Sequence, residues 1–469
     1  MGISKSVLSH FISKVLGSVA GFIATFAIAR VLGADALGAY ALAQGLMVWM
    51  TVPSHGVSTA TTKYVSEGEN ENEFGTVGIL LNISLVVVMS ALLLLFEGRV
   101  NGYVGAEATE LVVLLVFSTI FFGTVGGILR GEKKVARFGW LTTAEKVLRT
   151  LFQVGLILLG YEVGGLILGH AGSLILTSVI GLYFLRTRPT LPGRDEVRRM
   201  YDYAKYAWLG STKRKMFGWM DTIVLGFFVS SSFIGIYEVA WTVSSFLILS
   251  SNSIRNVLFP EVSELSSEGR EDEILGYVSE SVLYTGVIVV PGLFGAAVVG
   301  PDLLSIYRPE FAKGATVLLI LILAQLANVY GKQFVDILNA VNRPDAAFRV
   351  NGVFVVTNLS LNFALIYAIG WYGAAIATLV SGIVTLVLGY YYITRLLGSL
   401  SVPWRGILSQ LFSSAVMGVA VYYLRGIAPP SHYGTVAVVF AGALLYGAVL
   451  LSVSPRIRRG FLNAAAEFR

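Results

Sequence analysis

Cysteine is absent from the 469 residues, so the chain can form no disulfide and offers no thiolate for catalysis or metal binding. Charge is scarce too. Asp, Glu, Lys and Arg make up 13% of the chain against 55% hydrophobic residues, about half of the roughly 25% charged share usual in soluble domains. That supply is too small to cover a water-facing surface of this size, so lipid must be the main solvent. Nucleotide chemistry has no foothold: no Gly-x-x-x-x-Gly-Lys-Ser/Thr cradle is present. Nor is there the Glu/Asp/His pairing that hydrolytic sites use. A non-enzymatic protein without cofactor, metal or catalytic residues is expected. No cleavable leader is expected either, because the first apolar stretch follows Lys5, contains Lys14 and runs to Val31 without a cleavage pattern. The net charge of +6 would suggest nucleic acid in a soluble protein. In a membrane chain it reflects Lys and Arg gathered on cytoplasmic loops, and no nucleic-acid partner is expected.

What is present is a series of apolar windows, each near the 20 residues needed to cross a hydrocarbon core. They fall at 11–31, 36–56, 77–96, 108–129, 146–161, 163–185, 206–229, 233–257, 277–299, 315–337, 350–369, 371–396, 407–424 and 433–453, which predicts about fourteen spans. With the N-terminus inside, Lys133, Lys134, Arg137, Arg186, Arg188, Arg194, Arg198, Arg199, Arg343, Arg349, Arg405, Arg456, Arg458 and Arg459 all fall on one side. The opposite loops hold little beyond Arg99, Arg308, Lys313 and Arg425. The bias predicts a multi-pass protein of the cell membrane with both termini cytoplasmic.

The spans repeat. Gly38 and Tyr40 match Gly235 and Tyr237 at an offset of 197, and the same register carries Val65-Ser66-Glu67 onto Val262-Ser263-Glu264. Seven of the thirty positions from Gly38 to Glu67 are identical. A weaker match near an offset of 210 joins Phe138 to Phe348 and Gly160 to Gly370. Spans one to six therefore correspond to seven to twelve. Six is even, so both halves start on the same side and the repeat is parallel, with its axis along the membrane normal. The expected architecture is all-α: a six-helix bundle at 1–187, a basic linker at 188–205, a second bundle at 206–397, an added helix pair at 403–455 and a basic tail at 456–469.

Several segments resemble the polysaccharide-transporter branch of the MOP flippase superfamily, which includes Wzx-type O-antigen flippases. They are Val31-Leu-Gly-Ala-Asp-Ala-Leu-Gly-Ala-Tyr40, its copy from Asp221 into Ile234-Gly-Ile-Tyr237, and Val257-Leu-Phe-Pro-Glu-Val-Ser263. The most specific are Asn339-Ala-Val-Asn-Arg-Pro344, Asn358-Leu-Ser-Leu-Asn-Phe-Ala-Leu-Ile366 and Gly370-Trp-Tyr-Gly-Ala-Ala-Ile-Ala-Thr-Leu-Val-Ser381. The resemblance spans roughly residues 1–400. It implies a flippase that turns a polyprenyl-linked oligosaccharide to the outer leaflet by alternating access, in surface polysaccharide or glycoprotein biosynthesis. The implied partners are the lipid-linked glycan, membrane lipids, and glycosyltransferases or a polymerase of the same pathway. A MATE-like drug/cation antiporter and a lipid II-type flippase are the rival readings.

A phosphate-bearing substrate needs cations inside the membrane, where charge is costly and therefore informative. The candidates are Arg255, in an apolar, Ser-rich span whose repeat partner is Ser58; the triplet Lys213, Arg214 and Lys215; and Lys14 near the equivalent place in the first half. Each also fits a headgroup anchor that snorkels to the interface. His55, Asp221 and Asp336 are candidates for ion or proton coupling, with polar packing or a local Lys332–Asp336 pair as the plainer reading. His170 fits a satisfied packing residue, and Glu145, Lys146 and Arg149, at the start of the predicted fifth span, fit an interfacial cluster. Loop charge gives a direct test of orientation. A fluorescent protein fused after Arg469 is expected to fold and fluoresce in the cytosol, and alkaline phosphatase at the same junction to stay inactive; an active phosphatase would reverse the assignment.

Overall fold

The computed structural model describes residues 21–459; the side chains of 208–217, 249–257 and 272 lie outside that description. Every regular element among the described residues is helical. The order is α1 (Gly21–Leu32), α2 (Ala34–Met50), α3 (Val52–Glu67), α4 (Glu71–Leu95), α5 (Glu97–Val104), α6 (Thr109–Gly131), α7 (Val135–Leu158), α8 (Val163–Tyr183) and α9 (Arg194–Gly218). There follow α10 (Met220–Phe228), α11 (Ser231–Leu247), α12 (Leu249–Ser267), α13 (Glu271–Ser305), a 3-10 turn (Pro309–Gly314), α14 (Ala315–Ala340), α15 (Pro344–Ile369), α16 (Trp371–Leu397), α17 (Trp404–Ile427) and α18 (His432–Val453). Packing divides the chain into two compact units, Met1–Gly235 and Ile236–Arg469.

Nine of the described helices are long and apolar enough to cross a membrane, and α2 with α3, bent by 50°, makes a tenth. Their outward faces are apolar: α4 exposes Leu80, Ile83, Val87, Val88, Leu92 and Leu95, and α15 exposes Val353, Val356 and Phe363. Backbone polar groups are spent inside each helix, so such faces suit hydrocarbon. Four expected spans fall on elements outside that count, namely α1, α7, α9 with α10, and α11 with α12. Charge or an interruption takes out the last three, and α1 begins at the edge of the described residues.

The repeat is visible in the helix boundaries. α2 and α11 begin and end 197 residues apart, and so do the breaks after them, at Thr51 and Ile248. Pro53 explains the first break, since its ring lacks an N–H and collides with the carbonyl four residues back. Its counterpart is Ser250, so the interruption belongs to the repeat and not to proline alone. Repeat-equivalent residues also touch. A Cβ on Gly38 would lie 1.8 Å from the Ser231 carbonyl oxygen, and one on Gly235 would lie 1.9 Å from that of Ala34. Only glycine permits that approach from both sides. Asp35 accepts a hydrogen bond from the Ser231 hydroxyl beside it.

In the second unit α14 packs on α16 and α15 on α16, and the added pair is bonded in as well as packed. Gln410 of α17 donates to the Leu283 carbonyl at 2.7 Å, and Arg425 pairs with Asp302 at 2.5 Å. Met417, Val421, Tyr446 and Leu450 join Leu283 and Val299 in one apolar cluster.

The stretch 188–205, expected as a linker, is different in kind. Pro189 and Pro192 hold off the helix, but α9 starts at Arg194 and continues unbroken to Gly218. Met200 and Ala204 bury against Val57, Tyr64 and Phe74 of α3 and α4. The strand of chain before it is laid across the ends of α4 and α6. Glu132 accepts from the amides of Arg186 and Thr187 and from the Thr187 hydroxyl, each at 2.8 Å, and Lys134 pairs with its other oxygen. Asn72 and Thr76 accept from the amides of Arg188 and Thr190. Burial alone would raise the Glu132 carboxyl, but the Lys134 ammonium and these donors outweigh it and hold it below its ordinary value. A depressed folded pKa gives stability that is complete above the unfolded value and lost as pH falls through the folded one. Glu132→Gln is therefore expected to melt below the parent at pH 7, with the gap closing below about pH 4.3; a gap unchanged at pH 3.5 would refute the linkage.

Candidate functional site

The fifth helix carries the chemistry. α7 begins at Val135, eleven residues before the predicted start, because Arg137, Thr142, Thr143, Glu145 and Lys146 mask it in hydropathy. It starts four residues after α6 ends and turns into α8 through a four-residue corner. Its 24 residues rise about 36 Å, enough to return the chain across the bilayer between those two spans. Glu145 and Arg149 are then about 15 and 21 Å from its start. Glu145, Lys146 and Arg149, expected at the start of this helix, therefore lie well inside it.

One stripe of α7, Leu141, Glu145, Arg149, Gln153 and Ile157, recurs every four residues and faces α8. Gln153 approaches Gly169, where a Cβ would meet the Gln153 amide nitrogen at 2.8 Å, so the glycine lets α7 and α8 close on each other. The polar members of the stripe meet His170 and Ser173 of α8 and Tyr40 of α2. Gln153 donates to the Tyr40 hydroxyl at 2.6 Å and to the Leu166 carbonyl at 2.9 Å. Tyr40 lies 3.0 Å from His170 Nδ1, and Arg149 Nη1 lies 3.3 Å from His170 Nε2. Glu145 Oε1 is 3.6 Å from Arg149 Nε, 3.8 Å from His170 Nε2 and 3.4 Å from the Ser173 hydroxyl.

A guanidinium has no lone pair to offer, so His170 Nε2 accepts from Arg149. The ring proton then sits on Nδ1 and is donated to Tyr40. The result is a neutral imidazole between a hydroxyl and a cation, with one carboxylate balancing one guanidinium. Burying such ions costs several kcal/mol each unless they are paired and bonded. The fold does not require the charge. On the 210 register that joins Phe138 to Phe348 and Gly160 to Gly370, the positions matching Glu145, Arg149 and Gln153 are Val355, Leu359 and Phe363; the polar groups that α15 buries nearby are Asn358 and Asn362, amides bonded to one another at 3.2 Å. The second repeat fills the same stripe with neutral groups.

The residues singled out beforehand are placed as follows. His55 is half-buried in the first turn of α3, Asp221 is buried at the start of α10, and Asp336 is half-buried on α14. Lys14 and the side chains of Lys213, Arg214, Lys215 and Arg255 lie outside the described residues. His170 is a bonded packing residue as expected, but its partners make it part of an ionised cluster. Tyr40, Gln153 and Ser173 were missed. The four-residue spacing of polar groups along α7 was the signal that could have found Gln153.

The comparisons with known proteins come down on one side. The profile of the family described as "Polysaccharide biosynthesis protein" matches residues 3–266. The chain belongs to that family. A probable flippase of Haloferax volcanii, AglR, is 32% identical over 98% of this chain and 97% of its own length. The same organism's probable low-salt glycan biosynthesis flippase Agl15 is 28% identical over 99% and 98%. Among solved structures, the lipid II flippase MurJ in an inward closed conformation aligns with a TM-score of 0.78 at 14% identity, covering 94% of this chain and 98% of that one. An inward-facing MATE family transporter of the MOP superfamily aligns at 0.66 and 13% identity, over 83% and 98%. At those identities the structures speak for the fold.

Removing the amide that organises Tyr40 tests the cluster. Gln153→Leu is expected to destabilise the full chain by about 1–3 kcal/mol, the cost of stranding a buried hydroxyl, read from thermal unfolding in detergent. Adding Tyr40→Phe should recover part of the loss; strictly additive losses would mean the two side chains are not coupled.

Proposed function

We propose that the protein is a flippase that carries a polyprenyl-linked oligosaccharide from the cytoplasmic to the outer leaflet of the cell membrane by alternating access, with both termini cytoplasmic. The observation that carries the reading is relatedness along the whole chain to two archaeal flippases, one of them named for glycan biosynthesis. It is supported by a cluster within the first unit in which the Arg149 guanidinium meets Glu145 and His170. A sugar phosphate crossing hydrocarbon needs a shielded polar path and a counter-charge, while its prenyl chain stays in lipid. Drug and cation antiport would be served better by an unpaired interior carboxylate. No step of bond making is required, and the role is transport. Glycosyltransferases or a polymerase of the pathway that builds the glycan are the proposed partners.

Arg255, Lys213, Arg214, Lys215 and Lys14 are proposed as further cations that meet the phosphate, and His55, Asp221 and Asp336 as further coupling groups. Deleting the gene is expected to leave a lipid-linked glycan on the cytoplasmic leaflet and to remove it from surface glycoconjugates, both restored by the intact gene. Alanine at Arg255 or within Lys213–Lys215, in well-expressed variants, should lower export at least severalfold. Unchanged surface glycan in the deletion strain would overturn the function, and unchanged export in all four variants would overturn the role of those cations.

A further inference from the structure

Within the buried cluster the groups are unequally closed. The side chains of Glu145 and His170 are 8% and 6% exposed, and that of Arg149 is 23% exposed. Arg149 is the member another molecule can reach. It is also loosely held: its Nε lies 3.6 Å from Glu145, where a charge-assisted hydrogen bond would close to about 2.7–2.9 Å. With five N–H donors in a planar fork, it could take a phosphate through two of them and outbid that carboxylate.

We propose that Arg149 is an anion site occupied in turn by Glu145 and by the phosphate of the substrate, and that a proton bound by Glu145 hands the guanidinium over. The inference rests on the flippase reading, which supplies the phosphate. The charges balance at each stage. In the free protein Glu145 and Arg149 cancel. In the loaded protein a proton from water neutralises Glu145, and a phosphate oxygen becomes the counter-charge of Arg149. The site is neutral both times, as hydrocarbon demands.

The neighbours decide which group takes the proton. A second proton on His170 would have to sit on Nε2, facing the Arg149 cation at 3.3 Å. Nδ1 is already committed to Tyr40, which Gln153 holds in place. Glu145 has an acceptor ready. The Ser173 hydroxyl gives its own proton to the His170 carbonyl at 2.7 Å, leaving oxygen lone pairs 3.4 Å from the carboxyl. The other charged or titratable groups are Arg137 and Lys146 on α7, His170 and Tyr183 on α8, and Asp35 and Tyr40 on α2; α6, also packed on α7, carries Glu110 and Arg130 only near its two ends. The other carboxylates on these elements, Asp35 and Glu110, lie in the first turns of α2 and α6, and Asp35 is bonded to Ser231.

Proton and phosphate therefore bind cooperatively, and by reciprocity each raises affinity for the other. The test uses the full chain in lipid nanodiscs and dolichyl phosphate mannose, a phosphodiester with a fixed single charge, with uncharged dolichol as control. Between pH 8 and pH 6 the parent Kd is expected to fall by up to about tenfold per pH unit, the limit for one linked proton. Binding should take up close to one proton per ligand in weak buffer. Glu145→Gln should bind tightly at every pH with no slope, and Arg149→Gln weakly with no slope. A flat parent profile without proton uptake overturns the proposal, as does a slope retained by Glu145→Gln. Should that variant fail to fold, the parent's proton uptake decides alone. A parent that restores glycan export yet binds no better than the dolichol control sinks the anion site and leaves the flippase reading standing; a parent that does not restore export sinks the flippase reading.

Discussion

A carboxylate and a guanidinium enclosed between packed helices must answer each other, because the interior offers them little water. Most of what is distinctive in the first unit follows from that obligation. Glu145 and Arg149 sit one turn apart so that each meets the other's charge. The residue facing them on α8 is a histidine, which can accept from a cation on one nitrogen and donate on the other. Tyr40 terminates the chain of bonds, and Gln153 fixes Tyr40. The glycine at 169 lets α8 come close enough for the bonds to form. The second repeat shows the cheaper solution, apolar side chains at the matching positions with the neutral amides of Asn358 and Asn362 joined by one bond nearby. A chain that keeps the costlier one in half of a duplicated scaffold has a use for the charge.

The scaffold itself was legible in advance. Apolar run length, loop charge and an ungapped register of 197 were enough to anticipate an all-helical membrane protein with a repeat, and the matched ends of α2 and α11 lie on that register. The corners at Gly160 and Gly370 divide α7 from α8 and α15 from α16 where expected. Hydropathy failed where the chain spends polarity inside the membrane. The residues that make the fifth helix interesting also hid eleven residues of it, and Glu145 was consequently placed at a surface. Tyr40 stood out only as a repeat landmark. Its partners are 113 and 130 residues away, a distance at which no local pattern reports.

The added helix pair illustrates how polar groups can specify packing in lipid without any ion. Between two apolar helices hydrocarbon supplies little preference for one rotation over another. Gln410, pointed at the Leu283 carbonyl, supplies that preference for α17, and the buried serines 409, 413 and 414 share its face. Arg425 with Asp302 fixes the far end, where water is near. The pair is thus keyed to α13 at two depths, and could not slide or turn on it without losing both.

The clasp around Glu132 has a consequence for how the gene could be divided. Chain from Arg186 to Thr190 is anchored residue by residue, and from Arg194 onward it is helix packed on α3. What lies between is Leu191-Pro192-Gly193, with Leu191 98% exposed. A cut there would sever the polypeptide while sparing the anchored segment on one side and α9 on the other. Two separately synthesised fragments meeting at Pro192 would each carry a complete set of anchors for reassembly, so this tripeptide is the natural seam for a split protein, an inserted tag or a protease site.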